Sequence, residues 1–189
     1  MKFISIKKVS EGKFINRYDA TYETSDNKIK VYEMISRRKN ITSSEELLNN
    51  PVDAVVLILH DESGERILIN REFRMAVGDY IYNFPAGLID EGETYEESAR
   101  RELMEETGLT LVSIEDVMYE SYSAVGFSNE KNICVVGTAS GTFAPSTSTF
   151  EEIEAGWYTK EEVRSLLATS HFAARTQAYC YMWSREHCQ

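Results

Sequence analysis

The feature that most constrains the fold is a helix signal near the middle of the chain, within the segment GLIDEGETYEESARRELMEETGL at residues 87–109. Thr94 is a favoured N-cap residue, and Glu97, three positions later, completes a capping box. Gly108 can end a helix in the left-handed conformation. These signals predict a helix over residues 95–107, of a length common in globular proteins.

The acidic residues of this helix are unusually crowded. Glu102, Glu105 and Glu106 share one face, since residues three and four apart are neighbours on a helix. Like charges at that spacing repel, and the helix macrodipole disfavours anions near the C-terminal end. A solvated acidic face is one interpretation. A divalent cation is the other, because hard cations prefer carboxylate oxygens and would remove both penalties.

The spacing of the flanking residues decides between these interpretations. Gly87 is followed after five residues by Glu93, and seven more lead to Arg101-Glu102-Leu103. One residue then precedes Glu105-Glu106, and another precedes Gly108-Leu109. The pattern resembles the Nudix box at every fixed and both apolar positions, and so many fixed letters rarely coincide by chance. This resemblance implies an α+β fold, a helix–sheet–helix sandwich with a mixed sheet, and Mg²⁺-dependent hydrolysis of a nucleoside-diphosphate compound.

The resemblance also implies roles for individual residues. Glu102 and Glu106 are expected as metal ligands, with Glu105 as a third ligand or a support for one. The backbone carbonyl of Ala86 is expected to bind the metal as well. Arg101 is expected to pair with Glu93 or Glu105 and to fix the carboxylates, although a surface salt bridge of little energetic value is the alternative. Gly87 is expected to permit a sharp turn.

Bulk charge makes a cation necessary for this chemistry. The chain has 189 residues and a formal charge of −11, from 20 basic and 31 acidic residues. Such a protein repels nucleic acid, and it repels free phosphates as well. Bound Mg²⁺, for which Mn²⁺ can substitute, neutralises substrate charge and activates water.

Residues beside the box narrow the substrate. Residues 71–74 (REFR), 84–90 (FPAGLID) and 174–178 (ARTQA) resemble the ADP-ribose pyrophosphatase branch. This implies conversion of ADP-ribose and water to AMP and ribose 5-phosphate. Arg74 matches an arginine that contacts substrate phosphates, although pairing with surface acids is the alternative. The chain departs from the pattern of this branch at two positions, since Val125 stands where proline is usual and Asn83 where glutamate is usual. Other nucleotide sugars and dinucleotides therefore remain alternative substrates. A sensor that binds a nucleotide without cutting it is a third possibility, but such modules often lose box glutamates.

Further candidates lie outside the box. The branch places its general base on a downstream loop, where Glu151 is favoured over Glu152 or a box glutamate. The loop at residues 123–130, with Val125 and Glu130, resembles one near the substrate. Aromatic stacking on the base is expected from the N-terminal tyrosines, although ordinary strand packing is the alternative for each of them. These tyrosines are Tyr18, Tyr22 and Tyr32.

The remaining pattern predicts the elements around the site. The pattern of residues 12–36 predicts a hairpin that turns at residues 25–27. Residues 38–51 are predicted to form a polar connector, and residues 52–60 a buried strand. Further strands are predicted at 66–73, 79–84, 110–122, 131–139 and 149–157, and further helices at 161–168 and 172–186. We therefore predict an N-terminal extension at 1–50 and a catalytic domain at 51–189. In the branch that the chain resembles, the N-terminal sheet packs on a second subunit, and a small hairpin cannot bury its own core. The resemblance therefore implies a homodimer.

Segments that would direct the chain to a membrane or the secretory route are not predicted. No apolar run approaches the roughly 20 residues needed to span a bilayer. The first residues contain no apolar stretch typical of a signal peptide. The cysteines Cys134, Cys180 and Cys188 are widely spaced, which predicts reduced thiols. A cytoplasmic protein that binds neither membranes nor nucleic acid is expected.

Overall fold

The computed structural model describes residues 1–147 and 152–185. Within them the strands are β1 (Lys2–Glu11), β2 (Asn16–Glu23), β3 (Ile29–Ser36), β4 (Ala54–His60), β5 (Arg66–Arg74), β6 (Asp79–Asn83), β7 (Ala86–Leu88), β8 (Thr110–Tyr122), β9 (Lys131–Ser140) and β10 (Ile153–Thr159). The helices are α1 (Ser44–Leu48), α2 (Tyr95–Thr107), α3 (Lys160–Thr169) and α4 (Ala174–Arg185). The chain forms two compact units, the first comprising Met1–Asp53 and Glu120–Asn132 and the second the remainder.

The first unit is built on a three-stranded antiparallel sheet in the order β1-β2-β3. The predicted hairpin is present as β2 and β3, and Asn27 turns between them with a φ of 58°. Two elements were not predicted. Strand β1 has no buried residue, and its apolar residues do not alternate regularly with polar ones. Helix α1 has only five residues, although Ser43 and Glu46 form a capping box at its start.

The second unit contains the larger sheet, with the strand order β10-β5-β4-β9-β8, in which β6 pairs with β5 and β7 pairs with β4. Alternate residues of β4 enter two different apolar clusters. Val55 and Leu57 pack with Ala99 and Leu103 of α2. Their neighbours Val56 and Ile58 belong to a cluster that includes residues of α3 and α4. Both faces of β4 are therefore covered by helices, which explains its continuous apolar sequence.

This arrangement confirms the predicted α+β sandwich with a mixed sheet. Helix α2 has the predicted bounds, and Gly108 ends it with a φ of 75°. The predicted division at residue 50 stays a prediction, since the first compact unit also includes Glu120–Asn132. No helix in the described part of the chain has both the length and the apolar character needed to cross a bilayer.

Candidate active site

Helix α2 is held in place at its start and along one face. The Thr94 hydroxyl accepts a hydrogen bond from the Glu97 amide at 3.2 Å, and the Glu97 carboxylate accepts one from the Thr94 amide at 2.8 Å. Ala99 and Leu103 are fully buried against the sheet. The box glutamates therefore stand on a helix whose position is fixed by both capping and packing.

Gly87 allows Glu102 to lie against the backbone of β7. A Cβ atom at Gly87 would be 1.8 Å from Cδ of Glu102 and 2.0 and 2.2 Å from its carboxylate oxygens. Gly87 is in a strand paired with Val55 and does not have a positive φ. Close approach, rather than a sharp turn, thus explains the glycine. This approach brings Glu102 beside Gly87, the residue that follows Ala86. The backbone carbonyl of Ala86 is another of the predicted metal ligands.

Arg101 joins the loop before the helix to the acidic face. Its Nε and Nη2 each donate to one oxygen of Glu93, both at 2.8 Å. Its Nη1 donates to Glu102 at 2.7 Å and reaches Glu105 at 3.5 Å. The hydrogen bonds that Glu93 accepts from Arg101 lower the pKa of Glu93 to about 2. Arg101 thus contacts both of its predicted partners, and Glu102 as well.

Glu106 is the most deeply buried of the box glutamates, with 7% of its surface exposed. Nδ2 of Asn70, a fully buried residue of β5, donates to Glu106 Oε2 at 2.8 Å. Asn70 was not among the predicted site residues. Its signal in the sequence was an amide at the end of the apolar run ILIN, a polar residue where a buried strand favours an apolar one.

These residues fit a divalent cation. Within residues 1–147 and 152–185, no three carboxylate, imidazole or thiol side chains are assembled as a metal centre. Glu102 and Glu105 instead face Arg101, at 2.7 and 3.5 Å. The donors are nevertheless hard carboxylate oxygens on one helix face. Those of Glu102 and Glu106 are largely shielded from water, whereas that of Glu105 is half exposed. Asn70 Oδ1, which is buried, has no hydrogen-bond donor among the described residues. Such a set suits Mg²⁺ or Mn²⁺.

Two neighbouring glutamates are the predicted candidates for the general base. Glu151 lies outside the described residues. Glu152 immediately precedes β10, and there its carboxylate accepts a hydrogen bond from the Tyr80 hydroxyl and its carbonyl accepts one from the Phe73 amide at 3.0 Å. The guanidinium of Arg71 stacks over the Tyr80 ring at 3.9 Å. Glu152 is therefore anchored to the β5–β6 edge.

Arg74, the predicted phosphate contact, is half exposed. Its Nε lies 3.5 Å from Oε1 of Glu72, whose side chain is 8% exposed. The same carboxylate oxygen accepts a hydrogen bond from Asn83 at 2.9 Å. Asn83 Oδ1 in turn accepts one from the Thr176 hydroxyl at 2.9 Å. Asn83, which replaces the usual glutamate, thus links β5 and β6 to helix α4.

The predicted substrate contacts from the N-terminal region lie in the first unit, whereas the box lies in the second. The Tyr32 hydroxyl donates to the Gly126 carbonyl, next to Val125, which is 75% exposed. Glu130 forms an ion pair with Arg37 at 2.6 Å. Tyr18 is fully buried and donates to the Arg38 carbonyl, so its ring has no exposed face for stacking.

Comparison with known proteins establishes the family. A family model of the NUDIX domain matches residues 50–180. The chain belongs to the NUDIX family. This assignment covers all the box residues and confirms the resemblance seen in the sequence.

Several known proteins are similar to this chain. ADP-sugar pyrophosphatase of Mus musculus is 31% identical over 100 residues, which is 53% of this chain and 44% of that protein. Nudix hydrolase 19, chloroplastic, of Arabidopsis thaliana is 34% identical over 134 residues, 67% of this chain and 30% of its own length. NAD-capped RNA hydrolase NudC of Mycobacterium tuberculosis is 28% identical over 143 residues, 76% of this chain and 44% of its length.

The chain thus matches less than half the length of each of these three relatives. Among solved structures, the crystal structure of an ADP compounds hydrolase superposes with a TM-score of 0.73 at 20% identity. The match covers 98% of this chain and 94% of that one. This likeness shows the fold.

Proposed function

We propose that this protein is a Mg²⁺-dependent hydrolase that cuts the pyrophosphate bond of an ADP-sugar, with ADP-ribose as its substrate and AMP and ribose 5-phosphate as products. One observation carries the proposal: a buried Glu106 and a shielded Glu102, held against Gly87, crowd on the face of α2 that Arg101 organises. The similarity to a mouse ADP-sugar pyrophosphatase supports the substrate class.

Carboxylates and backbone would hold the metal. We assign Glu102, Glu106 and the Ala86 carbonyl as ligands, with Glu105 beside them. Bound Mg²⁺ supplies neutralisation of the pyrophosphate charge and activation of water. Arg101 keeps Glu102 and Glu93 in fixed positions, with distances of 2.7 and 2.8 Å. Most of the rate enhancement then comes from positioning and electrostatics.

The reaction transfers a phosphoryl group to water. The water oxygen forms a bond to one phosphorus, the bond from that phosphorus to the bridging oxygen breaks, and the leaving phosphate takes the electron pair. A carboxylate accepts the proton of the attacking water. We assign the role of proton acceptor to Glu151, with Glu152 as the alternative. Arg74, whose bidentate fork suits phosphate oxygens, binds the substrate diphosphate.

Two substitutions separate the candidate bases. Glu151→Gln removes the proton acceptor and is expected to lower kcat by about 100-fold to 10,000-fold, the usual contribution of general base catalysis. Glu152→Gln is the matched control on the neighbouring residue and is expected to have a small effect. The opposite ranking of the two variants would move the base to Glu152.

We further propose that the protein is a homodimer of the reducing cytoplasm. The small sheet of the first unit leaves apolar side chains exposed, among them Ile29 at 63% and Val31 at 52%. Large exposed apolar areas mark association surfaces. A monomeric mass by light scattering at micromolar concentration would contradict the dimer. The free thiols of Cys134 and Cys180 agree with a reducing compartment.

A second candidate substrate is a dinucleotide such as NADH. It is favoured by the two departures from the ADP-ribose branch, Val125 and Asn83, and by the similarity to NudC of Mycobacterium tuberculosis. The formal charge of −11 disfavours a capped RNA as the natural substrate, because the chain repels a polyanion. Retention of every box glutamate argues against a sensor that does not cut.

A substrate panel tests these proposals. The protein would be incubated with Mg²⁺ and, separately, ADP-ribose, GDP-mannose, UDP-glucose, NADH, diadenosine polyphosphates and oxidised nucleoside triphosphates, and the products separated by chromatography. We expect AMP from ADP-ribose, with the other compounds far slower. Preferred cleavage of NADH would keep the chemistry and change the substrate. Tight ADP-ribose binding without cleavage of any compound would refute the hydrolase.

A further inference from the structure

A buried amide interrupts an otherwise apolar strand at the site. In β5, Ile67, Leu68 and Ile69 are fully buried, and the next residue, Asn70, is equally buried. Burying an amide costs free energy unless its polar atoms form hydrogen bonds. An apolar residue would suit this position of the strand better. The position of Asn70 therefore points to a role in the site.

The contacts of Asn70 identify that role. Its Nδ2 donates to Glu106 Oε2 at 2.8 Å. No donor among the described residues reaches its Oδ1, which is buried. Nearly all buried polar groups in proteins have a partner, so an exception calls for an explanation. The exception here lies on a side chain that already contacts a predicted metal ligand.

Glu106 needs such support because of where it stands. It lies in the last turn of α2, where the unpaired carbonyl groups disfavour an anion. It is also only 7% exposed, so water stabilises its charge poorly. A donor from the sheet both compensates the charge and fixes the orientation of the carboxylate. Asn70 and Glu106 belong to different elements, so this contact also ties the box helix to β5.

We propose that Asn70, a residue outside the box, is a positioning residue of the cation site: its amide N–H orients Glu106, and its amide oxygen adds a neutral acceptor beside that carboxylate. The inference rests on the proposed metal-dependent function. Partners that orient a metal ligand from outside the coordination sphere typically change metal affinity or activity by about 10-fold to 100-fold when mutated. Cation affinity is therefore the property that Asn70 should control.

Direct binding of Mn²⁺, measured by electron paramagnetic resonance on protein freed of metal, tests the proposal. Asn70→Leu keeps the number and branching of the side-chain heavy atoms but neither donates nor accepts, and we expect its Mn²⁺ affinity to fall by about 10-fold to 100-fold. The KM for ADP-ribose at saturating Mn²⁺ should stay near the wild-type value, because Asn70 acts through Glu106. Unchanged Mn²⁺ affinity would overturn the proposal.

A control variant separates positioning from general loss of stability. Ile69→Ala alters the preceding residue of the same strand, which packs in the cluster with α3 and α4 rather than against α2. It should lower the melting temperature and leave the Mn²⁺ affinity unchanged. An equal loss of affinity in both variants would show that Asn70 matters only for the stability of β5.

Asn70→Asp keeps the shape and provides a second test if the leucine variant does not fold. It places a carboxylate next to Glu106, and without a cation the two charges repel. We expect a lower melting temperature that Mn²⁺ restores by a larger shift than in the wild type. A loss that Mn²⁺ does not restore would overturn the proposal. Absence of Mn²⁺ binding by the wild type would instead refute the proposed function itself.

Discussion

Substitution of Gly87 by alanine tests the close approach on which the proposed metal site depends. The added Cβ would lie 1.8 Å from Cδ of Glu102, whereas ordinary contacts begin near 3.4 Å. Glu102 must then move by more than 1 Å. The backbone at Gly87 does not have a positive φ, so alanine is compatible with the strand conformation. The substitution should therefore displace Glu102, a proposed metal ligand, without unfolding the protein.

The expected effects follow from that displacement. A misplacement of about 1 Å at a catalytic centre can lower the rate by roughly 100-fold, and we expect a loss in kcat/KM of at least that order. Displaced Glu102 also loses the hydrogen bond from Arg101 at 2.7 Å. Buried hydrogen bonds to charged groups contribute about 1.5–3 kcal/mol to the free energy of unfolding. Because Arg101 is partly exposed, we expect Gly87→Ala to lower the free energy of unfolding by about 1–2 kcal/mol.

A double-mutant cycle with Glu102→Ala supplies the control. The alanine at position 102 leaves nothing for the new Cβ to displace, so Gly87→Ala should have little further effect on AMP release in that background. Rates would be measured by chromatography at saturating Mg²⁺, with circular dichroism to check the fold. Near-normal turnover by Gly87→Ala, or full additivity of the two substitutions, would refute the reasoning.

Three further predictions concern the helix, the loop before it and the buried thiols. Thr94→Ala removes the N-cap of α2 and should lower the free energy of unfolding by about 1 kcal/mol, whereas Thr94→Ser should leave it unchanged. Thermal melts measure this difference, and equal melting temperatures of the two variants would contradict the capping role of Thr94. The pKa of Glu93 is lowered from 4.5 to about 2, so its pairing with Arg101 should stabilise the fold fully above pH 4.5 and lose that effect as the pH falls towards 2. Urea unfolding of wild type and Glu93→Gln across this range should show a difference that shrinks with acid, and a constant difference would be inconsistent with the pairing. Burial raises the pKa of Cys180 to about 12 and also raises that of Cys134, so both should react with a thiol reagent only after unfolding; rapid modification of either in the native protein would contradict their burial.

The helix that carries the site was predictable because its signals are local. Thr94, Glu97 and Gly108 act within one or two turns, and the structure places the ends of α2 where they predict. Strand β4 was equally clear, since burial on both faces leaves an unbroken apolar run. The family assignment rested on box spacing, which is a property of the sequence alone.

Other features depend on contacts between distant residues. The contact of Asn70 with Glu106 joins positions 36 residues apart, and no local pattern reports it. The same is true of Asn83 and Thr176, which are 93 residues apart. Strand β1 was not predicted because it is stabilised by pairing with β2 rather than by burying an apolar face. Gly87 was predicted to serve a turn, because the approach of Glu102 is visible only once the helix and β7 are placed.

Dependence of AMP release on both a divalent cation and Glu106 tests the central claim most directly. ADP-ribose would be incubated with wild type and Glu106→Gln, in a chelator and after addition of excess Mg²⁺, and AMP quantified by chromatography. We predict that the chelator abolishes release by the wild type, that Mg²⁺ restores it, and that folded Glu106→Gln stays slower than the wild type by orders of magnitude in excess Mg²⁺. Release that persists in the chelator, or near-normal turnover by Glu106→Gln, would contradict the assignment of a metal-dependent hydrolase to this site.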